Sequence, residues 1–339
     1  MKMLVRVPTV RYDYGGNPIL MLIEQRLRVW ALILFPALVL ATPPTAAQEN
    51  DGVRLLFTGD ILLTRQVEFE LKGTIRSPWT GFQKLFHSAS WVGGNFEGAV
   101  GPASNCLESK SPCFATPETA AELLARAGFS LVSVENNHAG DLGSAGREHT
   151  AKAFEQAGLQ SVGFNNSPQF IQLGKTSVAV VAITLIPAAD GQVQRIPSAE
   201  VSEKLRLAKQ RANIVVVSIH WGNELMEWPS DSQRKQAAWL VGEGADLILG
   251  HHPHVIQRPE CVSGRPVFFS LGNHLFDQAN PKTKQGLIAD CRIWRERLRC
   301  GSLYTHTDLG TTIPSLVGPD RAADFALASC LAEINPKPH

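Results

Sequence analysis

The stretch ADLILGHHPH (residues 245–254) joins an apolar run to three histidines. The run 245–250 has the length and composition of a buried strand, and the histidines at 251, 252 and 254 follow it directly. A solvated loop is the alternative for this cluster, but Pro253 stiffens the segment and the strand leads straight into it. The stretch therefore predicts a strand that ends at a metal site.

Short β-rich runs alternate with segments of helical spacing from Val53 onward. The segment FIQLGKTSVAVVAIT (170–184) instead predicts a hairpin, since Gly174 and Lys175 separate two strand-like stretches. The alternation predicts an α/β fold, and the hairpin makes its sheets mixed. Residues 320–334 have the spacing of a closing helix. The predicted strands are 53–59, 90–97, 129–136, 177–184, 213–221, 245–250 and 266–273, and the predicted helices are 117–128, 144–158, 198–212 and 231–244.

Polar side chains lie at the carboxyl ends of six predicted strands. Because ligand sites in open α/β sheets gather beyond the carboxyl ends of strands, we expect these groups to share one rim. Taken singly, some have a plainer role: Asp60 as a turn residue or helix cap, and Asn136 with Asn137 as a turn. The groups are Asp60, Asn95, Glu97, Asn136, Asn137, His138, His220, His251, His252, His254, Asn273 and His274.

The chemistry of these groups indicates a divalent cation. Carboxylate, imidazole and amide ligands suit ions such as Mn, Fe or Zn, and they differ from the thiolates of a cysteine-rich zinc site. The number of candidate ligands suffices for two ions that share a bridging carboxylate and together activate a water. A single ion is the alternative.

The composition is that of a globular protein without a polyanion-binding excess. The chain of 339 residues is 44% hydrophobic and has a formal net charge of +1, so no nucleic-acid partner is predicted. Residues 48–339 are long enough for one large domain and contain no internal repeat. A tail punctuated by proline and glycine follows about residue 309 and forms a loose C-terminal extension in this interpretation.

The N-terminal segment has the layout of a secretory signal peptide. Arg26 and Arg28 precede an apolar run (29–41) and small residues follow it, which predicts a signal over residues 1–47 and a periplasmic or extracellular protein. The run is too short to span a hydrocarbon core of about 30 Å, although an uncleaved signal anchor is the alternative. The segment before Met21 does not resemble a signal n-region, which leaves open a native start at Met21.

All six cysteines follow the predicted signal, and an even number in an exported protein favours disulfides over free thiols. Cys106 and Cys113 bracket a polar turn. Cys291 and Cys300 bracket the segment RIWRERLR, which predicts a hairpin between GLIADC and CGSLYT. Cys261 and Cys330 are what remains, and the sequence leaves their pairing open.

Six motifs follow one another along the chain in the order FTGDILLTR (57–65), NFEG (95–98), NNHAGDLG (136–143), HWGNELMEWP (220–229), GADLILGHHPHVIQ (244–257) and FSLGNHLFD (269–277). Together they resemble the CapA family of bacterial capsule or poly-γ-glutamate synthesis proteins, which are relatives of the calcineurin-like metallophosphatases. The resemblance covers about Val53 to Asp277 and implies a four-layer αββα sandwich of two mixed β-sheets flanked by helices, with the site at the strand ends.

The resemblance also implies roles for individual residues. His138 is the implied general acid, and Asp141 three residues later fixes its tautomer. Arg65 either anchors an anionic group of the substrate or forms a surface ion pair. The implied metal ligands are Asp60 and His254 on the first ion, Glu97 as the bridging acid, and Asn137, His220 and His252 on the second. The residues expected to support these ligands or to contact substrate are Arg65, Asn95, Glu224, His251, Asn273 and His274.

This sequence departs from the related patterns at several positions. Leu62 lies where ordinary metallophosphatases have a histidine, a lack that the CapA pattern shares, so the first metal is short of a ligand. Within the CapA pattern, Glu135 replaces a small residue and Leu225 an aromatic one. His274 replaces a phenylalanine, and it either adds a ligand or lines the pocket.

Two functions of different classes follow from these observations. The first is an exported metal-dependent hydrolase or transferase that acts on a phosphate ester or an amide bond of an anionic cell-envelope polymer, with His138 as proton donor. The second is a non-catalytic accessory subunit that binds such a polymer, as part of a membrane polymer-synthesis complex. A sugar-binding domain would need an exposed aromatic platform, whereas Trp221 and Trp228 are interpreted as core residues.

Overall fold

The computed structural model describes residues 52–72, 77–108, 111–163, 167–294, 297–318, 327, 330 and 332–333. The predicted signal over residues 1–47 lies outside this range, as does most of the predicted closing helix. Within the described part of the chain, no helix combines the length and the apolar content that crossing a bilayer requires.

The helices and strands follow one another in an α/β order. The helices are α1 (Arg65–Lys72), α2 (Gln83–His87), α3 (Thr119–Ala127), α4 (Gly143–Gln156), α5 (Ala199–Arg211) and α6 (Asp231–Gly242). The strands are β1 (Val53–Ile61), β2 (Trp91–Phe96), β3 (Ala99–Val100), β4 (Ala115–Thr116), β5 (Leu131–Ser133), β6 (Gln160–Val162), β7 (Gln169–Leu173), β8 (Thr176–Thr184), β9 (Ile214–His220), β10 (Leu247–His251), β11 (Ile256–Gln257), β12 (Glu260–Val262), β13 (Arg265–Phe268), β14 (Ser270–Leu271), β15 (Asn273–Leu275), β16 (Gln285–Trp294), β17 (Arg297–Thr307), β18 (Pro314–Leu316) and β19 (Ala332–Glu333).

Two mixed sheets form the centre of the molecule. The first has the order β18-β17-β16-β1-β2-β5-β6, in which β1, β2, β5 and β6 are parallel and β16 and β17 are antiparallel to their neighbours. β15 also pairs with β1 in parallel. The second has the order β12-β13-β10-β9-β8-β7, in which only the edge strands β7 and β12 are antiparallel. The predicted hairpin over residues 170–184 is confirmed as β7 and β8.

Alternate residues of each sheet face different cores. In β8, Val178 and Val180 belong to the core between the two sheets, whereas Ala179 and Val181 belong to the core under α5 and α6. A strand with both faces buried reads as a continuous apolar run. The outer face of the first sheet packs against α1 to α4 through Val67, Phe86, Leu124 and Phe154. Helices therefore cover both outer faces, and the αββα sandwich implied by the resemblance is confirmed.

The closing helix predicted for residues 320–334 is wrong where the structure describes it. Residues 332–333 form β19, which pairs antiparallel with Arg297 and Leu298 of β17. β18 pairs with the other end of β17, at Thr305 to Thr307. The backbone groups of β17 near Arg297 are therefore available to pair with β19. Helical spacing carries no information about such a distant edge.

Three disulfides pair all six cysteines, including Cys261 with Cys330. Cys106 bonds Cys113, as predicted. Cys291 and Cys300 lie directly opposite each other in the antiparallel pair β16 and β17, which confirms the predicted hairpin.

Loss of the hairpin disulfide is expected to lower stability only moderately. The bond closes a loop of nine residues of sequence separation, and loop-closure entropy assigns about 2–3 kcal/mol to a loop of that size. Denaturant unfolding of the Cys291→Ser/Cys300→Ser double variant measures the difference. An unchanged unfolding midpoint would show that the paired strands hold this region without the bond.

Candidate metal centre

A close backbone approach places the first acidic residue. A Cβ atom at Gly59 would lie 2.0 Å from the carbonyl oxygen of Gly272, so only glycine permits this contact. The backbone N–H of Asp60 donates to that same oxygen at 3.0 Å. The strand register then sets Asp60 beside Asn95 of β2 and Asn273 of β15. Three polar residues from distant parts of the chain thus meet at one sheet end.

The second sheet supplies the histidines. His220 ends β9 and lies beside His251, which ends β10. His252 and His254, in the turn that follows, have φ angles of 95° and 57°, a left-handed conformation that is costly for a residue other than glycine. The backbone N–H of His252 donates to Asp60 Oδ2 at 3.3 Å. The strained turn therefore folds back over the acidic residue of the first sheet.

Asp60 accepts hydrogen bonds from side chains of both sheets. Its Oδ1 accepts hydrogen bonds from His251 Nδ1 and Asn95 Nδ2, both at 2.9 Å, and His254 Nδ1 lies 3.3 Å from Oδ2. Burial by itself would raise the pKa of Asp60, but the hydrogen bonds from His251 and His254 hold that pKa well below its usual range. Asp60 therefore remains a carboxylate although it is fully buried.

Glu97 and His220 complete a buried triangle with Asp60. One ligand atom from each of the three lies within 4.8 Å of the other two. Glu97 Oε1 is 3.9 Å from His220 Nε2 and 3.7 Å from His254 Nε2, and His220 Nε2 is 2.9 Å from Asn137 Oδ1. The six metal ligands that the resemblance implies include these five, and the contacts bring them to one place.

Burial and the neighbouring His252 hold the pKa of His220 well below its usual range, so its imidazole is neutral and able to bind a cation. Burial would also lower the pKa of His254, but Glu97 and Asp60 raise it to about 9. A proton on His254 thus partly offsets the charge of the two carboxylates. Buried carboxylates are costly without compensating positive charge, and this donor set fits a divalent cation.

His138 is fixed in one orientation beside this cluster. Its Nδ1 is 2.8 Å from Asp141 Oδ2, which also accepts from the backbone N–H of Phe114 at 2.7 Å. The imidazole stacks on the Phe114 ring, with centroids 3.6 Å apart and planes within 9°. Asn136 anchors the loop, because its Oδ1 accepts from the backbone N–H of His138 at 3.0 Å. Since Asp141 engages Nδ1, proton exchange falls to Nε2.

Arg65 lies near His138 but is engaged by an acid of this chain. Its Nε donates to Asp277 Oδ2 at 2.9 Å, and a second short contact joins Nη2 to Oδ1. The guanidinium also lies 4.6 Å above the ring of Phe114, the same ring that stacks on His138. Arg65 therefore forms an ion pair, which the sequence offered as the alternative to anchoring the substrate.

Asn273 and His274, which are neighbours in β15, lie in different environments. Asn273 Oδ1 accepts from His254 Nδ1 at 2.9 Å, so this side chain supports a candidate ligand. His274 points to the other face, since neighbouring strand residues face opposite ways. Its Nε2 accepts from Trp79 Nε1 at 3.0 Å, its ring meets Phe82 edge-on, and burial lowers its pKa to about 3. The structure therefore does not bring His274 to the cluster, and its expected place beside the ligands is corrected.

Trp221 and Trp228 have opposite environments. Trp221 is fully buried, and its indole N–H donates to the carbonyl of Phe269 at 2.8 Å, as a core residue does. Trp228 is 71% exposed, so its interpretation as a core residue is wrong. It lies in the loop after β9, where Gln257 Nε2 donates to the carbonyl of Trp228 at 3.3 Å and the side chain turns outward. The apolar residues around these positions in the sequence do not reveal which tryptophan is buried and which is exposed.

Sequence reasoning missed a buried ion-pair group beneath the His138 loop. Arg147 of α4 donates through Nε to Asp190 Oδ2 at 2.5 Å, and its Nη1 lies 4.0 Å from Glu135 Oε1. Asp190 packs so closely on the loop that a Cβ atom at Gly140 would lie 2.4 Å from its carboxyl carbon. The only sequence signal was Glu135, a charged residue where the related pattern has a small one.

The αββα fold and the acidic and imidazole side chains gathered at its strand ends define an α/β protein with a candidate metal centre. The chain belongs to the bacterial capsule synthesis protein family PGA_cap, whose model matches residues 54–278. Among solved structures, a novel phosphatase from Mycoplasma pneumoniae is similar, with a TM-score of 0.48, 12% identity, and coverage of 81% of this chain and 97% of that one. A hypothetical protein from Thermus thermophilus has a TM-score of 0.45 and 16% identity, and the alignment covers 78% and 99% of the two chains.

Relatives in Bacillus are similar over most of the chain. The PGA biosynthesis protein CapA of Bacillus subtilis (strain 168) is 31% identical over 265 residues, which cover 73% of this chain and 69% of that protein. The capsule biosynthesis protein CapA of Bacillus anthracis is 29% identical over 270 residues, or 73% and 66% of the two chains. A probable polyglutamine synthesis accessory protein of Mycobacterium tuberculosis (strain ATCC 25618 / H37Rv) is 22% identical over 171 residues, or 43% and 45%. The chain thus spans about two thirds of the length of the Bacillus relatives.

Proposed function

We propose that this protein is an exported metal-dependent hydrolase or transferase of capsule or poly-γ-glutamate biosynthesis, acting on a phosphate ester or amide bond of an anionic cell-envelope polymer. The observation that carries the proposal is the meeting of two fully buried carboxylates, Asp60 and Glu97, with His220 and His254 at the ends of both sheets. Family membership supports the biosynthetic setting. Three disulfides support export, because such bonds persist in oxidising compartments.

The site offers enough donors for two divalent ions, with Mn, Fe and Zn as the candidates. Such ions would activate a water and neutralise negative charge that develops on the substrate. The neutral imidazole of His220 would add a ligand without a proton to displace. In this proposal Asp60 and His254 would hold the first ion, Asn137, His220 and His252 would hold the second, and Glu97 would be a ligand shared by both.

His138 provides the proton for the leaving group in this proposal. Asp141 fixes the ring through Nδ1 and stabilises the imidazolium form before the proton is given up from Nε2. Stacking on Phe114 holds the ring plane, so the proton is delivered in one direction. The rigid placement matters because a misdirected donor loses most of its catalytic effect.

Replacement of His220 by alanine is expected to weaken Mn²⁺ binding by at least about tenfold and to reduce turnover with it. The variant removes a buried neutral imidazole whose Nε2 faces Asn137 and Glu97. Isothermal titration of the metal-free protein gives the affinity. Hydrolysis of bis(p-nitrophenyl) phosphate and of γ-glutamyl p-nitroanilide, each with Mn²⁺, gives turnover and separates ester from amide cleavage.

The matched control is His149→Ala, since His149 is half exposed and pairs with Glu118 on the surface. It should bind Mn²⁺ and turn over like the unaltered protein. Metal-dependent turnover that survives in the His220 variant would refute a catalytic centre at this place.

The second candidate is a non-catalytic subunit that binds the polymer during synthesis or export. Leu62 favours it, because this fully buried apolar side chain beside Asp60 offers no ligand. The mycobacterial relative is named as a probable accessory protein, which agrees with this candidate. Incubation of the Mn²⁺-loaded protein with poly-γ-glutamate decides between the two. Shortened chains on a sizing column support the hydrolase, whereas metal-dependent binding without any shortening supports the accessory subunit.

A further inference from the structure

The loop after β9 brings a third carboxylate to the centre. Glu224 lies four residues beyond His220, and one of its carboxylate oxygens groups with a ring nitrogen of His252 and one of His254, all within 4.8 Å of one another. His252 and His254 are buried, whereas Glu224 is exposed. The acid therefore approaches the two buried imidazoles from an exposed position in the loop.

The backbone of this loop is fixed to the histidine turn. The N–H of Leu225 donates to the carbonyl of Pro253, the residue between the two histidines, at 2.9 Å. Leu225 has a φ angle of 62°, a left-handed conformation like those of His252 and His254. Three non-glycine residues thus share this costly conformation across one contact, so the surrounding structure must hold the loop and the turn in place.

A buried glutamine holds the other side of the loop. Gln257 is fully buried, and its Nε2 donates to the carbonyl of Met226 at 2.8 Å. Its Oε1 accepts from Gln233 Nε2 of α6 at 3.0 Å, which fixes the orientation of the amide. The loop is therefore fixed to β11 and α6, and these hydrogen bonds hold the backbone that carries Glu224.

The surroundings of Glu224 differ from those of its neighbour in the loop. Glu227 pairs with Lys282 at 2.5 Å, as a surface acid commonly does. Within the described ranges, no lysine or arginine pairs with Glu224, which instead faces two imidazoles. A carboxylate beside two histidines, with one side open to solvent, is the arrangement of a catalytic rather than a closed metal site.

We infer that Glu224 is a metal ligand, which binds the ion held by His252 or His254 and closes the centre from the solvent side. The inference rests on the proposed metal centre and deepens it, since it assigns a role in ion binding to a residue otherwise expected only to support the ligands. A ligand at the mouth controls access, because it must share the ion with an entering substrate.

The experiment is a Mn²⁺ titration of metal-free full-length protein by calorimetry, with metal analysis after gel filtration. Glu224→Gln is expected to weaken at least one equivalent by about tenfold or more. Glu224→Asp keeps the charge on a shorter side chain, so its affinity for Mn²⁺ should lie between those of the unaltered protein and Glu224→Gln. The matched control is Glu227→Gln, which removes the same charge from the same loop and should bind as the unaltered protein does.

Each other outcome overturns the inference in a distinguishable way. If Glu224→Gln binds Mn²⁺ normally while His220→Ala does not, the centre stands and Glu224 is not a ligand. If Glu224→Gln and Glu227→Gln weaken binding equally, the effect is surface charge and not ligation. If the unaltered protein binds no Mn²⁺, Fe²⁺ or Zn²⁺, the proposed centre fails together with the inference. Thermal unfolding of each metal-free variant confirms that the fold is retained.

Discussion

Replacement of His138 by glutamine is expected to lower kcat for an alkyl phosphodiester by about 10²–10⁴-fold, without loss of bound metal. His138 is held by the Asp141 carboxylate, at 2.8 Å, and by the stacked ring of Phe114, at a centroid distance of 3.6 Å. Glutamine fills much of the same space but cannot transfer a proton near neutral pH. Steady-state kinetics and metal analysis of the purified variant test both halves of the expectation.

The leaving group provides the control for this prediction. p-Nitrophenolate departs without being protonated, so the His138→Gln variant should lose much less activity with bis(p-nitrophenyl) phosphate than with the alkyl ester. Asp141→Asn should follow the same pattern to a lesser degree, because it disturbs the ring that Asp141 orients. Equal losses with both esters would assign His138 a role in structure and not in proton transfer.

Replacement of Arg147 by methionine is expected to lower the free energy of unfolding by about 3–5 kcal/mol, the range for breaking a buried ion pair by removal of one partner. Methionine keeps the aliphatic volume but leaves the carboxylate of Asp190, bonded to Arg147 Nε at 2.5 Å, without its cation. Glu135, 4.0 Å from Nη1, loses the same charge. Denaturant unfolding at neutral pH measures the difference. The matched control is Arg126→Met on the surface of α3, where the pair with Glu122 is exposed and the change should stay within about 0.5 kcal/mol.

The cost of the Arg147 change should depend on pH. Burial alone would raise the pKa of Asp190, but the hydrogen bond from Arg147 lowers it below the ordinary value of 3.8. A carboxyl group with a lowered pKa in the folded state stabilises the protein fully above its unfolded pKa, and this contribution is lost as pH falls through the folded pKa. The difference in the free energy of unfolding between the unaltered protein and Arg147→Met should therefore narrow below about pH 4. A gap that is constant from pH 7 to pH 3 would assign the loss to packing.

The alternation of apolar runs with helical segments was enough to predict the layers of this protein. In β8, every residue from Val178 to Ile183 is buried, because one face of the strand packs on the first sheet and the opposite face packs on α5. Such a run is visible in the sequence as an unbroken stretch of small and branched apolar residues. The pairing order of the strands is not visible there, since every buried strand presents the same apolar composition.

The residues of the centre were foreseeable for a related reason. Carboxyl ends of parallel strands meet at one edge, so polar letters directly after apolar runs predict a shared site. The orientation of each side chain was not foreseeable. One position separates Asn273, which supports His254, from His274, which lies among Trp79 and Phe82. The two cannot be distinguished until the register of β15 against β1 is known.

The sequence by itself determined the α/β class, the sheet edge at which the acids and imidazoles gather, and the two local cysteine pairs, because each depends on residues close together in the chain. Only the tertiary structure decided that Arg147 and Asp190 lie beneath the His138 loop, that Trp228 faces outward, and that Glu224 reaches His252 and His254. These depend on contacts between distant segments, which follow from how two sheets stack and not from any local pattern of residues.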